Sequence, residues 1–139
     1  MQGLPEVSVA GTLTADPELK FVPSSGDAVV NFTIAANDRK FDRDAQKWVD
    51  GDVTFLRCSL WRQAAENVSE SLTKGDRVVV VGALKQRSWQ TDQGDKRSVV
   101  ELAVSEIGPS LRWATAKPTK VKRSAPAAPA ATVPGEPPF

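Results

Sequence analysis

The segment Thr54–Arg62 holds the side chains best suited to bind a ligand, and the two-residue period of a β-strand divides them between two faces. One set is small and mostly apolar and the other is aromatic, cationic and polar: Thr54, Leu56, Cys58 and Leu60 against Phe55, Arg57, Ser59 and Trp61. A core does not favour the arginine, and exposed rings that stand together are typical of a site for a flat or apolar ligand. The same face would also fit a subunit interface, or a two-layer core whose arginine reaches the edge.

Two further predicted strands repeat this pairing of a ring with a cation. In the strand that begins at Ala28, the face opposite the core ends in Arg39 and Phe41. In the strand that begins at Val78, a run of cations leads to Trp89 on one face. The predicted binding residues are therefore Phe41, Phe55, Trp61, Trp89, Arg39, Arg57, Arg62, Lys85 and Arg87.

Rings and cations in this arrangement suit an oligonucleotide, because rings support bases and cations bind phosphates. Every base has a ring face, so such binding does not depend on sequence. The bases of a duplex already stack on each other, so a single strand is the predicted ligand. Bulk charge adds nothing to this prediction, since 14 basic and 16 acidic groups give residues 1–113 a net charge of −2, and 4 − 1 gives residues 114–139 a charge of +3.

Catalytic chemistry has few candidate residues. Histidine is absent, which removes Ser–His and Cys–His catalysis and nearly all zinc sites. The only cysteine, Cys58, is predicted to be a core residue rather than a reactive thiol. The five aspartates between positions 38 and 52 do not have the spacing of a calcium loop, and no carboxylate pair on a core strand adjoins the aromatics. We therefore expect a binding protein without metal or cofactor, and not an enzyme.

The elements that must position these residues follow from the hydrophobic period. Strands are predicted at 4–13, 28–36, 54–62, 78–89 and 97–107. In the first of them, Gly11 allows a bulge or a close backbone approach. An exposed charged hairpin is predicted with its tip near 44–47. Residues 63–74 are predicted to form a helix that buries Ala65, Val68 and Leu72 and has Gly75 as its C-cap. This order indicates an all-β OB-fold, a five-stranded Greek-key barrel with one short helix between strands 3 and 4.

Length and composition set the domain organisation. A chain of 139 residues, 40% hydrophobic and 25% charged, is long enough for one folded domain. Residues 1–116 are expected to form it, and residues 117–139, rich in Pro and Ala, are expected to be a disordered tail. No apolar run is long enough to span a bilayer and residues 1–5 lack the features of a signal peptide, so we expect no membrane association and a cytoplasmic location.

Several long segments resemble the bacterial single-stranded DNA-binding proteins: Val7–Phe21, Phe55–Gly75, Leu84–Trp89 and Glu106–Lys117, of which the last three resemble the actinobacterial members in particular. The resemblance covers residues 4–117. It implies an OB-fold that assembles into a homotetramer and wraps single-stranded DNA during replication, recombination and repair. It matches the stacking aromatics of the family to Phe55, Trp61 and Trp89, and to Phe41 in a hairpin of variable length. It also implies that Pro109–Ala116 clamps a neighbouring subunit.

The tail departs from the pattern of this family, in which several aspartates precede a Pro-Phe tip that recruits replication and repair proteins. Here the tail is short and basic, and only Glu136 precedes Pro137, although Pro138 and Phe139 keep the apolar tip. This departure suggests the hypothesis of a phage-encoded or secondary copy, acting in the bacterial nucleoid or in a phage-infected bacterial cell.

A different class of function stays open from the residues alone. An OB-fold interaction module would bury the same aromatics between subunits. In that case Trp61 and Trp89 would be shielded and would not respond to DNA.

Overall fold

Six strands and one helix are present in the computed structural model, which describes residues 3–121 apart from the side chains of Asp38 and Asp50. In chain order they are β1 (Glu6–Leu13), β2 (Glu18–Phe21), β3 (Ala28–Asp42), β4 (Lys47–Trp61), α1 (Gln63–Ser71), β5 (Arg77–Gln90) and β6 (Lys96–Pro109). The sheet order is β1-β5-β6-β4-β3-β2, and a further pairing of β1 with β3 closes a ring of five strands. Only β4 and β6 pair in parallel among these described strands. The predicted five-stranded OB-fold barrel is confirmed.

The short strand β2 was not predicted, and it continues the path of β1 along β3. Thr12 lies opposite Ala35, and farther along β3 Glu18 lies opposite Asn31. The backbone bends at Asp16–Pro17, because proline has no N–H for the ladder. β1 and β2 therefore act as two halves of one bent strand, and the barrel keeps the five strands that the sequence predicts.

The helix α1 packs its apolar stripe into the core as predicted, but it ends earlier. Ala65 and Val68 are buried, and so is Leu72, which has already left the helix with an extended φ of −120°. The prediction that Gly75 caps the helix is wrong. Gly75 lies in the following turn at φ +92°, and its N–H donates to the Leu13 carbonyl oxygen at 2.9 Å. The glycine thus allows the turn that ties the end of the helical segment to β1.

The core contains the inward residues of the barrel strands and of the helix: Leu13, Ala28, Val30, Phe32, Ile34, Cys58, Leu60, Ala65, Val68, Leu72, Val78, Val80, Leu102 and Val104. On β4 the predicted inward face is confirmed for Cys58 and Leu60, whereas Thr54 is exposed because β4 there extends beyond the barrel. Burial raises the pKa of the Cys58 thiol from 9.0 to about 12, since desolvation disfavours the thiolate. Cys58 is therefore a core residue and not a nucleophile.

Two glycines allow neighbouring strands to approach closely. A Cβ on Gly11 would lie 3.0 Å from the Ala35 carbonyl oxygen, so the close approach predicted at Gly11 is confirmed. A Cβ on Gly82 would collide with the Ala103 carbonyl oxygen, at the point where the β5–β6 register shifts. Both positions close the barrel, because a side chain on either would push a neighbouring strand away.

The predicted tail, residues 117–139, is described only as far as residue 121. Residues 117–121 have no regular secondary structure and are exposed, whereas the rest of the predicted tail, including the tip Pro138–Phe139, lies outside the described residues.

Within residues 3–121, no helix has the length and apolar character needed to cross a membrane. In the same range, no three or more potential metal-ligating side chains come together.

Candidate nucleic-acid interface

Three neighbouring strands present a continuous outward surface, which we call the aromatic face. It comprises Phe55, Arg57, Ser59 and Trp61 of β4, Arg97, Val99 and Glu101 of β6, and Lys85, Arg87 and Trp89 of β5. Arg57 lies opposite Glu101, and Glu101 lies opposite Lys85. The face exists because the barrel places β6 between β4 and β5, so that outward residues of all three strands share one side.

The rings of the aromatic face are open to solvent. Phe55 is 66% exposed, Trp61 50% and Trp89 43%. Phe55 and Trp61 lie six residues apart on one strand, which corresponds to about 20 Å. They therefore offer separate flat surfaces along the strand and do not form one hydrophobic cluster.

A polar depression lies between Arg57 and Arg87. It is also lined by Lys20 of β2 and by two carboxylates, those of Glu18 and Glu101. Lys20 pairs with Glu18, with Nζ 3.1 Å from Oε1. Three cations thus face two carboxylates, and a phosphate group at this point would meet cations that are already partly neutralised.

Arg87 makes the most extensive polar contacts of the aromatic face. Its Nη2 and Nε both donate to Oε1 of Glu101, at 2.9 Å and 3.1 Å. Its Cζ also lies 5.0 Å from the centroid of the Trp89 ring, within the range of a cation–π interaction. The guanidinium is therefore held by a carboxylate and by the ring that is predicted to stack on a base.

A β-bulge extends the ring surface along the β3–β4 hairpin. Asn37 of β3 pairs with Val53 of β4, and Arg39 pairs with Asp50, so one residue of β3 lies opposite two residues of β4 between these pairs. The extra residue reverses the alternation of β4, so Trp48 shares a side with Phe41 instead of with Leu56. The Phe41 and Trp48 rings lie 5.6 Å apart in an edge-on contact, and both are exposed.

The remaining predicted cations have different surroundings. Arg39 is exposed and borders a groove with Trp48, and Lys85 is exposed on the aromatic face. Arg62 follows Trp61 with a φ of +66°, and its Nε lies 3.9 Å from Oδ1 of Asp27. The side chain of Arg62 therefore lies beside the turn between β2 and β3 and not on the aromatic face.

Four residues of this surface were missing from the sequence-based prediction: Lys20, Trp48, Arg97 and Glu101. The two-residue period of β6 indicates that Arg97 and Glu101 share a face. It does not indicate which strand lies beside β6, and only that neighbour brings them to the arginines of β4 and β5. Trp48 carried no usable signal, because the bulge reverses the side that alternation would assign to it.

The segment after β6 carries exposed apolar side chains of its own. Leu111 and Trp113 are both well exposed. Cζ of Arg77 and Cζ of Arg112 each lie 5.0 Å from the Trp113 ring centroid. This segment follows β6 outside the barrel and leaves apolar surface uncovered in the single chain.

Comparisons with known proteins agree with this architecture. The chain is 60% identical to the single-stranded DNA-binding protein of Mycolicibacterium smegmatis over 124 residues, which cover 89% of this chain and 74% of that protein. It is 58% identical to a protein of the same name from Paenarthrobacter aurescens, over 89% of this chain and 72% of that protein.

Solved structures give the same result. The small single-stranded DNA-binding protein from Streptomyces coelicolor aligns with a TM-score of 0.68 at 29% identity, over 79% of this chain and 97% of that one. A Plasmodium falciparum SSB in complex with single-stranded DNA aligns with a TM-score of 0.67 over the same shares, and its 23% identity shows likeness of fold alone. The profile of the single-strand binding protein family matches residues 4–110. The chain therefore belongs to the single-strand binding protein family.

Proposed function

We propose that this protein binds single-stranded DNA without sequence preference, in support of replication, recombination and repair. One observation carries the proposal: exposed rings from separate strands lie on one face of the barrel with cations between them. The names of the relatives at 58–60% identity support the same ligand. The proposal assigns binding and no catalysis, and it places the protein in the bacterial nucleoid or in a phage-infected bacterial cell.

In the proposed mechanism, unpaired bases stack on Phe55, Trp61 and Trp89 while Arg57 and Lys85 bind phosphates. Each stacked base contributes about 1–3 kcal/mol, and the ring surface accepts any base. Contact with DNA stays a prediction for all nine residues proposed from the sequence, which also include Arg39, Phe41, Arg62 and Arg87. We add Trp48, because its ring adjoins that of Phe41 on the hairpin.

Tryptophan fluorescence tests the proposal directly, since the chain has four tryptophans and two of them lie on the aromatic face. The protein is titrated with oligo-dT and then with a duplex of equal length, at low and moderate salt. We expect strong quenching by the single strand alone. Absence of quenching, together with tight assembly in light scattering, would contradict the proposal and favour the protein-interaction module with its rings between subunits.

We also propose that the protein assembles into a homotetramer in which Pro109–Ala116 clamps a neighbouring subunit. The exposed apolar side chains of Val79 on β5 and of Leu111 and Trp113 support this, because they would be covered in an assembly. Light scattering of Trp113→Ala should show a smaller or concentration-dependent species beside a tetrameric parent. Equal masses for the variant and the parent would remove Trp113 from the interface.

Recruitment of replication and repair proteins by Pro138 and Phe139 stays a prediction from the family resemblance, since the tip lies outside the described residues. Acidic residues before Pro137 should tighten such binding, because the partner pockets in this family are basic. A pull-down that compares the native tail with one carrying added aspartates tests this, and equal capture would count against it.

A further inference from the structure

Glu101 is the only carboxylate among the ten residues of the aromatic face, and it lies at the centre of the cations. Its β6 position is opposite Arg57 on one side and opposite Lys85 on the other. Arg87, two residues beyond Lys85, reaches back to it with two hydrogen bonds. The side chain that occupies the space between the cations is therefore itself an anion.

The Arg87–Glu101 ion pair lies on the face that is proposed to bind the strand, beside Arg57 and Lys85. The Glu101 side chain is 23% exposed and that of Arg87 is 54% exposed, so the carboxylate lies deeper than the guanidinium that it holds. The Nε and Nη2 N–H groups of Arg87 both donate to one oxygen of Glu101, and together they form one edge of the guanidinium that is also suited to grip a phosphate. A guanidinium has five N–H groups, so this conflict arises for a phosphate that binds the Nε–Nη2 edge: it must share these two donors or replace the carboxylate.

From this geometry we propose that Glu101 is a resident competitor of the DNA phosphate, which holds Arg87 in the free protein and gives it up when a strand binds. The inference rests on the proposed binding of single-stranded DNA. A sheet-stabilising ion pair across two strands would be the simpler role. That role does not account for the position of Glu101 between Arg57, Lys85 and Arg87, whereas Glu18, the other carboxylate of the depression, pairs with Lys20.

Exchange of one anion for another has a consequence for salt dependence. Binding of a single strand weakens with salt by a slope of about −0.7 in log K for each phosphate that a protein cation neutralises, because counterions are released. When a phosphate replaces Glu101, the freed carboxylate attracts a cation of its own and offsets part of this release. Glu101 thus lowers both the affinity and the salt slope, so a bound strand leaves the protein more readily.

Glu101→Gln tests this role, because glutamine keeps the size of the side chain and loses the charge. We expect affinity for oligo-dT to rise, by up to about fivefold, the factor of an exposed ion pair, and the slope of log K against log salt to steepen by up to about 0.7. The matched control is Glu106→Gln, which removes the same charge from an exposed β6 residue outside the aromatic face. Thermal unfolding of both variants shows that the fold is retained.

The competitor role also predicts the outcome of a double-mutant cycle with Arg87. In an Arg87→Gln background, most of the gain from Glu101→Gln should be lost, since no guanidinium is left to release. In the otherwise unaltered chain, Arg87→Gln should reduce the salt slope less than Arg57→Gln, because Glu101 already neutralises Arg87.

The possible outcomes separate this inference from the proposed function. If the unaltered protein binds oligo-dT but Glu101→Gln matches Glu106→Gln, or binds more weakly than the parent, then Glu101 only supports the sheet. Equal slopes for Arg57→Gln and Arg87→Gln would also overturn the competitor role. Absence of binding by the unaltered protein would instead refute the proposed function, and the role of Glu101 with it.

Discussion

Phe55→Ala separates binding from folding more cleanly than any other substitution on the aromatic face. Phe55 is 66% exposed, more than the other two rings of the aromatic face, Trp61 and Trp89. The substitution leaves all four tryptophans as fluorescent reporters. Loss of one stacked base costs about 1–3 kcal/mol, which corresponds to about 5- to 150-fold in the dissociation constant for oligo-dT. We therefore expect a weakening within this range in a titration at fixed salt.

The expected loss of folding stability is smaller. Full burial of a phenylalanine side chain contributes about 1.5–3 kcal/mol, and about one third of Phe55 is buried, so its removal should cost about 0.5–1 kcal/mol. The matched control is Phe21→Ala on β2. Phe21 is 57% exposed and lies in register opposite Ala28, a core position, so it does not share the side of Glu18 and Lys20. Phe21→Ala should cost similar stability and leave DNA affinity unchanged.

Two results would refute the reasoning. Equal affinities for Phe55→Ala and Phe21→Ala would show that exposure on this face does not lead to base stacking. A large loss of stability in Phe55→Ala, seen as a shift of the urea midpoint well beyond that of Phe21→Ala, would show that the ring is structural. In the second case a drop in affinity would report unfolding and not a lost contact.

Three further predictions follow from the structure. Arg57→Ala should reduce the salt slope of oligo-dT binding by about 0.7, and an unchanged slope would remove Arg57 from the phosphate path. Burial raises the pKa of Cys58 from 9.0 to about 12, so between these pH values the native state holds a proton that the unfolded state has released. The free energy of unfolding should therefore fall as pH rises from about 9 to about 12. In urea titrations, Cys58→Ala should lack this part of the fall. Gly82→Ala should lower the free energy of unfolding in urea by about 1–3 kcal/mol, since its Cβ would collide with the Ala103 carbonyl oxygen. The control Gly108→Ala should have little effect, because a Cβ at Gly108 meets open space. Equal losses for the two variants would contradict the close approach of β5 and β6.

Local sequence patterns predicted much of the barrel. Alternation assigned the inward residues of β4 and β3 correctly at Leu60, Val30 and Ile34, because a side chain's face depends only on its position along a strand. The lack of histidine excludes Ser–His and Cys–His nucleophilic catalysis, and alternation gives Cys58 an inward position. The helix boundary was less well predicted, since Leu72 is buried from an extended backbone, a position that its helical spacing does not reveal.

The candidate site was only partly predictable. Phe55, Trp61 and Trp89 could be proposed because each alternates with a cation on its own strand. Their place on one surface depends on β6, which lies between β4 and β5 through pairings far apart in sequence.

By itself the sequence determined that five strands and a helix form the barrel, and it predicted which of their side chains could stack on bases and which could bind phosphates. These properties are local, so the chemistry of the residues and their period suffice to establish them. Tertiary structure alone decided that Glu101 meets Arg87, and that a bulge brings Trp48 beside Phe41. Both depend on strand register, which the whole barrel sets through its closure and which no single segment contains.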